Sequence, residues 1–207
     1  MFWTVLFYIV FVRFAQAETN DVHLSTAIVT ELGPLKVGKD LPSFNGQTSV
    51  NGRLSSRLLI GKGDVIVLSY AATWCQPCRY GIPIIERVVH AEESVQAVYI
   101  TLDTEIVKVQ KWAGDLGIQS PIIVDRFNAI AKRHGVIIED QSREIPITIV
   151  IDGRGIISHI FTTEGSDFEI KLREAIESAT QRSIESEHSK LHDPDGTTAE
   201  QGSGSKQ

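Results

Sequence analysis

The chain has 207 residues, of which 42% are hydrophobic and 22% charged, enough for one globular domain with a substantial core. Its formal net charge of -6 at pH 7 argues against a nucleic-acid-binding surface, because such surfaces carry clustered Lys and Arg. The two cysteines are too few for a domain held together by several disulfide bonds.

Residues 1–17 have the features of a secretory signal peptide. An apolar run over residues 2–12 is followed by Ala15-Gln16-Ala17, a small-x-small pattern that predicts cleavage after Ala17. The run is shorter than the roughly 20 residues of a membrane span, and no positive charge precedes it. A cleaved signal peptide is the favoured interpretation, with a retained N-terminal membrane tether or a buried strand as alternatives.

Two further segments flank the predicted folded domain. Residues 18–37 are predicted to be an N-terminal linker, and residues 38–182 to form the domain. Residues 183–207 contain only Ile184 and Leu191 as large apolar residues and are rich in Ser, Glu, Gly and Thr. This composition predicts a disordered C-terminal tail.

The first continuous apolar run, over residues 65–72, is rich in β-branched residues and predicts a buried central strand. The strand leads directly to the two cysteines. Apolar residues then recur at helical spacing, which predicts a helix from about residue 75 to residue 92. Pro83 should bend this helix, because proline removes a backbone donor and clashes with the preceding turn.

The rest of the chain alternates strand and helix patterns before ending in a strand pair and a helix. Asp103 or Thr104 is expected to cap the next helix. The predicted order is β-α-β-α-β-α-β-β-α, which gives an α/β fold with a mixed β-sheet and helices on both faces. The remaining predicted elements are a strand over 95–102, a helix with the apolar face Ile106, Val109, Ala113 and Leu116, a strand over 121–125, a helix over 128–134, a hairpin turning at 152–155, and a helix with the stripe Phe168, Leu172, Ile176 and Ala179.

The two cysteines form the motif Cys75-Gln76-Pro77-Cys78 at the predicted start of a helix. Unpaired backbone N–H groups and the positive end of the helix dipole converge there. This position favours thiolate over thiol, and Cys-x-x-Cys cysteines so placed have pKa values of roughly 3.5 to 7.5. We therefore expect Cys75 to attack a disulfide in another protein, and Cys78 to resolve the mixed disulfide that forms.

Two structural roles compete with a redox pair. A structural zinc site needs four ligands and usually shows a second Cys-x-x-Cys or His pair, whereas here no other cysteine exists and the histidines are scattered. A permanent disulfide across so small a loop would stabilise the fold little. The motif therefore favours redox chemistry, with no metal and no cofactor beyond the dithiol itself.

The stretch "VIVLSYAATWCQPCRYGIP" resembles the active-site strand and helix of the thioredoxin superfamily, with Trp74 before the first cysteine and Pro83 at the helix bend. "LPSFNGQ" resembles the entry segment of TlpA/ResA-type periplasmic thiol-disulfide oxidoreductases, and "IPITIVIDGRGII" resembles their cis-proline strand and hairpin. The resemblance covers about residues 38–180. It implies a thioredoxin-like fold and a redox-active disulfide between the two cysteines.

The same resemblance implies roles for individual residues. Cys75 would be the nucleophile and Cys78 the resolving thiol. Pro146 would be a cis-proline facing the dithiol, with an ordinary trans proline as the alternative, and Ile145 would present its backbone to an extended peptide. Trp74 would shape the docking surface or simply pack. The implied substrate-binding residues are Trp74, Gln76, Pro77, Ile145 and Pro146.

Three departures limit what the resemblance implies. Thioredoxin-like reductases often place a buried acid six residues before the first cysteine, as a proton acceptor for the resolving thiol, but this chain has Ser69 there. Many haem-maturation members have a glutamate three residues after the second cysteine, and here that residue is Gly81. Both departures weaken an assignment to cytochrome c maturation. The link over 136–146 is longer than usual, and it either decorates the substrate face or is a neutral insertion.

The implied function is disulfide exchange with protein substrates in the periplasm or another extracytoplasmic space, and the resemblance favours a reductant. The expected partners are protein thiol or disulfide clients and an upstream redox partner that recycles the dithiol. A monomer is expected, with no nucleic acid and no membrane contact other than the tether, if it is retained.

Two other activities on this fold are weaker alternatives. A thiol peroxidase needs a threonine three residues before its reactive cysteine, where this chain has Ala72. Copper-delivery proteins typically use Cys-x-x-x-Cys and a distant histidine, but the spacing here is one residue shorter. His134 and His159 are interpreted as surface or half-buried side chains.

Overall fold

The computed structural model describes residues 25–50, 52–138, 141–142 and 144–191. The predicted signal peptide over 1–17 and the last part of the predicted tail, 192–207, lie outside these residues. Within the described ranges, no helix combines the length and the hydropathy needed to cross a membrane.

The described chain folds into twelve strands and five helices. The helices are α1 (Ser56–Leu59), α2 (Cys78–His90), α3 (Ile106–Leu116), α4 (Ala129–Arg133) and α5 (Phe168–Leu191). The strands are β1 (Ala27–Val29), β2 (Glu31–Leu32), β3 (Leu35–Lys36), β4 (Asn45–Gln47), β5 (Arg53–Ser55), β6 (Val65–Ala71), β7 (Val95–Thr101), β8 (Ile122–Val124), β9 (Ile137–Ile138), β10 (Gln141–Ser142), β11 (Ile147–Ile151) and β12 (Ile157–Thr163).

Six strands form the central sheet in the order β1-β12-β11-β6-β7-β8. β6, β7 and β8 pair in parallel, whereas β11 pairs antiparallel with both β6 and β12, and β1 pairs antiparallel with β12. The parallel pairs are those joined through helices, as crossover connections require. The predicted mixed sheet is confirmed.

All seven residues of β6 are buried, because helices cover both faces of the sheet. Successive side chains of a strand point to opposite faces. Val65 and Val67 accordingly pack on one face, and Ile66 and Leu68 on the other. A continuous apolar run therefore supplies both halves of the core and brings the chain to the cysteines.

Two apolar layers result, one on each face of the sheet. The dithiol face is the layer between the sheet and α2, α3 and α5, and it includes Ile85, Trp112 and Leu172. The opposite face lies beneath α1 and α4 and includes Leu59 and Ile130.

His134 is fully buried on the opposite face, so its interpretation as a surface or half-buried residue is wrong. Its Nε2–H donates to the carbonyl oxygen of Pro42 at 2.8 Å, and its Nδ1 accepts from the hydroxyl of Tyr70 at 2.8 Å. Burial lowers the pKa of His134 to about 4. His159, in contrast, is half-buried as expected and stacks on Phe161.

The predicted linker over 18–37 is structured from Ala27 onward. β1 adds an edge strand to the central sheet, with Ala27 opposite Thr163 and Val29 opposite Ile160. The Thr26 N–H donates to Asp167 Oδ1 at 2.8 Å, which fixes the strand to the start of α5. A three-residue edge strand has too few residues to show a period in sequence, so its partner strand defines it.

The predicted boundary at residue 182 also differs, because α5 continues to Leu191. Ser183, placed in the tail by the prediction, is buried. Its Oγ accepts from the Gly153 N–H at 2.9 Å and donates to the Ala179 carbonyl oxygen at 3.1 Å. The Ser183 hydroxyl satisfies a buried backbone donor, which the polar composition of the segment does not reveal.

Candidate active site

The two cysteines lie at the amino end of α2 and form a disulfide, with the sulfur atoms 2.05 Å and the Cα atoms 5.4 Å apart. The helix begins at Cys78 rather than at Cys75, so Cys75 lies in the turn that precedes it. The Cys78 N–H donates to Cys75 Sγ at 3.2 Å. The first backbone donor of the helix therefore points at the sulfur predicted to be the nucleophile.

The two sulfurs differ in accessibility. Cys75 is 4% exposed, and Cys78 is fully buried beneath it. Trp74, Gln76 and Pro77 around them are exposed. An incoming molecule can therefore reach the disulfide only through Cys75.

The peptide bond between Ile145 and Pro146 is cis, as the resemblance implied. The Ile145 carbonyl oxygen lies 3.6 Å from Cys75 Sγ, which places this bond directly against the disulfide. Ile145 is half-buried and Pro146 is buried. The long link before them contains the hairpin of β9 and β10, in which Ile138 pairs with Gln141.

Asp103 holds the turn before the cysteines in place. One carboxylate oxygen accepts from the Thr73 N–H at 2.9 Å, and the other accepts from the Thr73 hydroxyl at 2.6 Å. The prediction that Asp103 or Thr104 caps α3 is wrong, since the cap position is Glu105 and makes no side-chain capping bond. In sequence, an acidic residue just after β7 is compatible both with capping α3 and with binding the turn before the cysteines. Only the tertiary structure shows that Asp103 binds the turn.

A second residue missed in the sequence is Glu164, which follows β12 and is buried on the dithiol face. It fills the space beside Gly81, one helical turn after Cys78. No motif marks this glutamate. The only signal in the sequence is indirect: positions 69 and 81, where the resemblance implies an acid, hold Ser69 and Gly81 instead.

The candidate peroxidase and copper residues do not complete a second site. Ala72 is fully buried and supplies no hydroxyl three residues before Cys75. Both ring nitrogens of His134 already have hydrogen-bond partners. Within the described residues, no three His, Cys, Asp or Glu side chains cluster as metal ligands would.

A mixed sheet of this topology, with Cys-x-x-Cys at the start of α2 and a cis-proline against it, is a thioredoxin-like fold with a redox-active dithiol. The family model described as "AhpC/TSA family" matches residues 37–160, which is more than half of the chain. The chain belongs to the AhpC/TSA family.

Curated relatives share this class. "Thiol-disulfide oxidoreductase ResA" of Geobacillus thermodenitrificans (strain NG80-2) is 26% identical over 144 residues, which cover 69% of this chain and 78% of the relative. "Thioredoxin-like protein YneN" of Bacillus subtilis (strain 168) is 28% identical over 144 residues, which cover 67% of this chain and 79% of the relative.

A solved structure from Chlorobium tepidum, "a putative Thiol:disulfide interchange protein DsbE", has a TM-score of 0.63 and 20% identity. The match covers 70% of this chain and 99% of that chain, and it supports the fold. The predicted thioredoxin-like fold and ResA-type resemblance are confirmed. The protein is a thiol-disulfide oxidoreductase with the redox pair Cys75 and Cys78.

Proposed function

We propose that this protein reduces disulfide bonds of protein clients outside the cytoplasm. The observation that carries the proposal is the Cys75–Cys78 disulfide at the start of α2, with the Cys78 N–H directed at Cys75 Sγ. A backbone donor in this position stabilises negative charge on Cys75 when the disulfide is reduced. Cys75 is then the attacking thiolate, and Cys78 is the resolving thiol.

The exchange proceeds through a mixed disulfide. The Cys75 thiolate attacks one sulfur of a client disulfide, and the other client sulfur leaves as a thiolate. Cys78 then attacks Cys75, which restores the intramolecular disulfide and releases the second client thiol. The burial of Cys78 supports this division of roles, because a client can approach Cys75 alone.

Client peptides would dock along the segment before β11. Ile145 lies outside the described strand ladders, since pairing with β6 begins at Ile147. Its backbone is therefore available to an extended peptide, as in strand addition. Trp74, which is 61% exposed, would form one wall of the docking surface with Gln76 and Pro77, and Pro146 would lie beneath the peptide.

The sequence and the relatives support an extracytoplasmic location. An apolar segment over 1–17 that ends in Ala-Gln-Ala supports export, with cleavage after Ala17 or retention as a membrane tether. A solved relative with 17% identity is described as a secreted disulfide oxidoreductase of Mycobacterium tuberculosis. The protein would act as a monomer, and an upstream redox partner would reduce its dithiol after each turnover.

Trapping with Cys78→Ser tests the proposal. This variant cannot resolve the mixed disulfide, so client adducts held through Cys75 should accumulate and disappear on treatment with dithiothreitol. Cys75→Ser is the matched control and should form none. The proposal is wrong if neither variant forms protein adducts while hydrogen peroxide oxidises the native dithiol stoichiometrically, because that result identifies a peroxidase.

The reduction potential tests the direction of electron flow. A reductant should equilibrate with glutathione near thioredoxin's value of about −270 mV rather than near the roughly −120 mV of the oxidant DsbA. A value close to that of DsbA would contradict the reductive direction but leave the exchange chemistry intact.

A further inference from the structure

Glu164 places a carboxyl group inside the dithiol face. Its Oε1 accepts a hydrogen bond from Thr148 Oγ1 at 2.7 Å, whereas its Oε2 is fully buried and has no hydrogen-bond partner among the described residues. Burial raises the pKa of Glu164 to about 7. An unsatisfied buried carboxylate oxygen is costly and uncommon, so its presence beside a redox pair needs a reason.

Helix α2 is shaped to receive this carboxyl group. A Cβ atom at Gly81 would lie 1.6 Å from Glu164 Oε2 and 2.5 Å from its Cδ, so only glycine leaves room for the carboxyl. Residues three apart on a helix have Cβ atoms roughly 5–6 Å apart, which puts Oε2 within about 8 Å of the Cβ of Cys78. The Cβ–Sγ bond of Cys78 and one bridging water molecule can span that distance.

Glu164 also connects to the position where related reductases carry their acid. Thr148 Oγ1 lies 2.9 Å from Ser69 Oγ. Because Thr148 has one hydroxyl proton, it donates to the Glu164 carboxylate and accepts from Ser69. A chain of hydroxyl groups thus runs from the position six residues before Cys75 to Glu164.

The ionisable neighbours of Glu164 come from several elements. Within the described residues, no cation contributes to the pKa of Glu164, which burial raises and the hydrogen bond from Thr148 lowers. Burial raises the pKa of Tyr99, and the negative charge of Glu86, to which its hydroxyl donates at 2.9 Å, and then that of Glu164 raise it further. The groups on the surrounding elements are Cys78 and Glu86 on α2, Tyr99 on β7, and Asp167 and Glu169 at the start of α5, where Asp167 accepts from Thr26 and Glu169 pairs with Arg87 and Arg173.

We infer that Glu164 is the proton acceptor for the Cys78 thiol. The inference rests on the proposed exchange reaction and replaces the acids missing at positions 69 and 81 with one supplied from the end of β12. The glycine on the helix leaves a space that the carboxyl group from the sheet side fills, so the end of β12 supplies an acid near Cys78 that positions 69 and 81 do not.

In the mixed disulfide, the Glu164 carboxylate takes the proton of the Cys78 thiol. The Cys78 thiolate attacks Cys75 Sγ, the Cys75–Cys78 bond forms, and the bond between Cys75 and the client sulfur breaks. The electron pair leaves with the client sulfur, which takes up a proton as Glu164 gives its own back. The dithiol loses two electrons, and the client disulfide gains them.

Stopped-flow mixing of the reduced full chain with one equivalent of dithionitrobenzoate separates the two attacks. Release of the first aromatic thiolate reports attack by Cys75, and release of the second reports attack by Cys78 on the mixed disulfide. Glu164→Gln should leave the first phase unchanged and slow the second about tenfold or more at pH 7. Its second phase should lose the inflection near pH 7 and rise with pH. Glu169→Gln, an exposed carboxylate nearby, is the matched control.

A relocated acid distinguishes proton transfer from a structural role. Glu164→Ala should be as slow as Glu164→Gln, and Glu164→Ala with Gly81→Glu should regain most of the lost rate, because the new side chain enters the space that Glu164 leaves and returns a carboxyl group to the dithiol face. Circular dichroism checks that each variant is folded, and Glu164→Asp, expected to be intermediate in rate, replaces Glu164→Gln if that variant does not fold. An unchanged second phase in Glu164→Gln, or a folded double variant without recovery, would overturn the inference. Loss of the first phase in the native chain would instead overturn the proposed function.

Discussion

Each face of the sheet buries ionisable side chains, and two of these, His134 and Glu164, have very different surroundings. His134, on the opposite face, has both ring nitrogens hydrogen-bonded, to Tyr70 and to Pro42. Glu164, on the dithiol face, has one oxygen bonded to Thr148 and the other without a partner among the described residues. Burial favours the neutral form of both groups and therefore shifts their pKa values in opposite directions.

The difference in hydrogen bonding and in pKa indicates which of the two groups can take part in the reaction. A pKa of about 4 keeps His134 neutral across the physiological range, so it acts as a fixed part of the fold. A pKa of about 7 allows Glu164 to gain and lose a proton under working conditions. A buried polar group that is fully satisfied stabilises structure, whereas one left partly unsatisfied beside a reactive pair is available for proton transfer.

The largest stability loss is expected for His134→Ala, because it leaves a cavity and orphans both the Tyr70 hydroxyl and the Pro42 carbonyl. Its free energy of unfolding at pH 7 should fall by about 3–5 kcal/mol. The native contribution of His134 is present above pH 6.5 and is lost as pH falls toward 4, so the variant should also lose that acid-dependent change. Urea unfolding at several pH values measures both effects.

Tyr70→Phe is the matched control for His134→Ala. It removes only the hydroxyl that His134 accepts from and should cost about 1–2 kcal/mol. Neither variant should change the dithionitrobenzoate phases per folded molecule. A slowed second phase in either one would mean that the two faces are not separate in function.

Glu164→Gln should change the pH dependence of stability in the opposite direction. The pKa of Glu164 rises from 4.5 unfolded to about 7 folded, so the native protein is more stable below pH 4.5 and loses that advantage as pH rises through 7. The loss is roughly 3 kcal/mol at about 1.4 kcal/mol per pKa unit. Glu164→Gln should not show this loss of stability. Urea unfolding of the oxidised native protein and of the variant between pH 4.5 and 8 measures the difference.

Glu169→Gln serves as the control here, since its carboxylate is on the surface and should leave the change between pH 5 and 8 intact. If the free energy of unfolding depended on pH equally in the native protein and in Glu164→Gln, Glu164 would ionise as freely in the folded chain as in the unfolded one.

Gly81→Ala should have a smaller effect on stability than His134→Ala or Glu164→Gln. Its Cβ would meet Glu164 Oε2, and moving the carboxyl aside should cost about 1–3 kcal/mol. In a Glu164→Ala background the same change should be neutral or stabilising, because alanine is the better helix former by roughly 1 kcal/mol. The double-mutant cycle measures the coupling between the two positions. Additive effects would mean that Glu164 and Gly81 do not share the space.

The elements that carry the reaction could be predicted from the sequence because their signals are local. The apolar run before Cys75, the Cys-x-x-Cys motif and Pro83 within α2 each follow from a few neighbouring residues. The cis bond before Pro146 followed from a resemblance and not from physical reasoning.

The edge strand β1, the end of α5 and the position of Glu164 depend on contacts between residues that are distant in sequence. β1 is defined by β12, more than 120 positions along the chain, and the end of α5 is fixed by the bond from Gly153 to Ser183. Glu164 lies 86 positions after Cys78 and matches no motif. Nothing near it in sequence indicates that Gly81 leaves a space for it, so only the folded chain shows the pair.

Site-resolved NMR titration of the oxidised full chain tests the comparison most directly. With carbon-labelled glutamate and nitrogen-labelled histidine, the Glu164 carboxyl should titrate with a midpoint of about 7 and the His134 ring with a midpoint of about 4. Glu164→Gln and His134→Ala assign the two signals. A Glu164 midpoint near the 4.5 of an ordinary glutamate would contradict the account, because such a carboxyl group would be solvated and no better a proton acceptor than any on the surface.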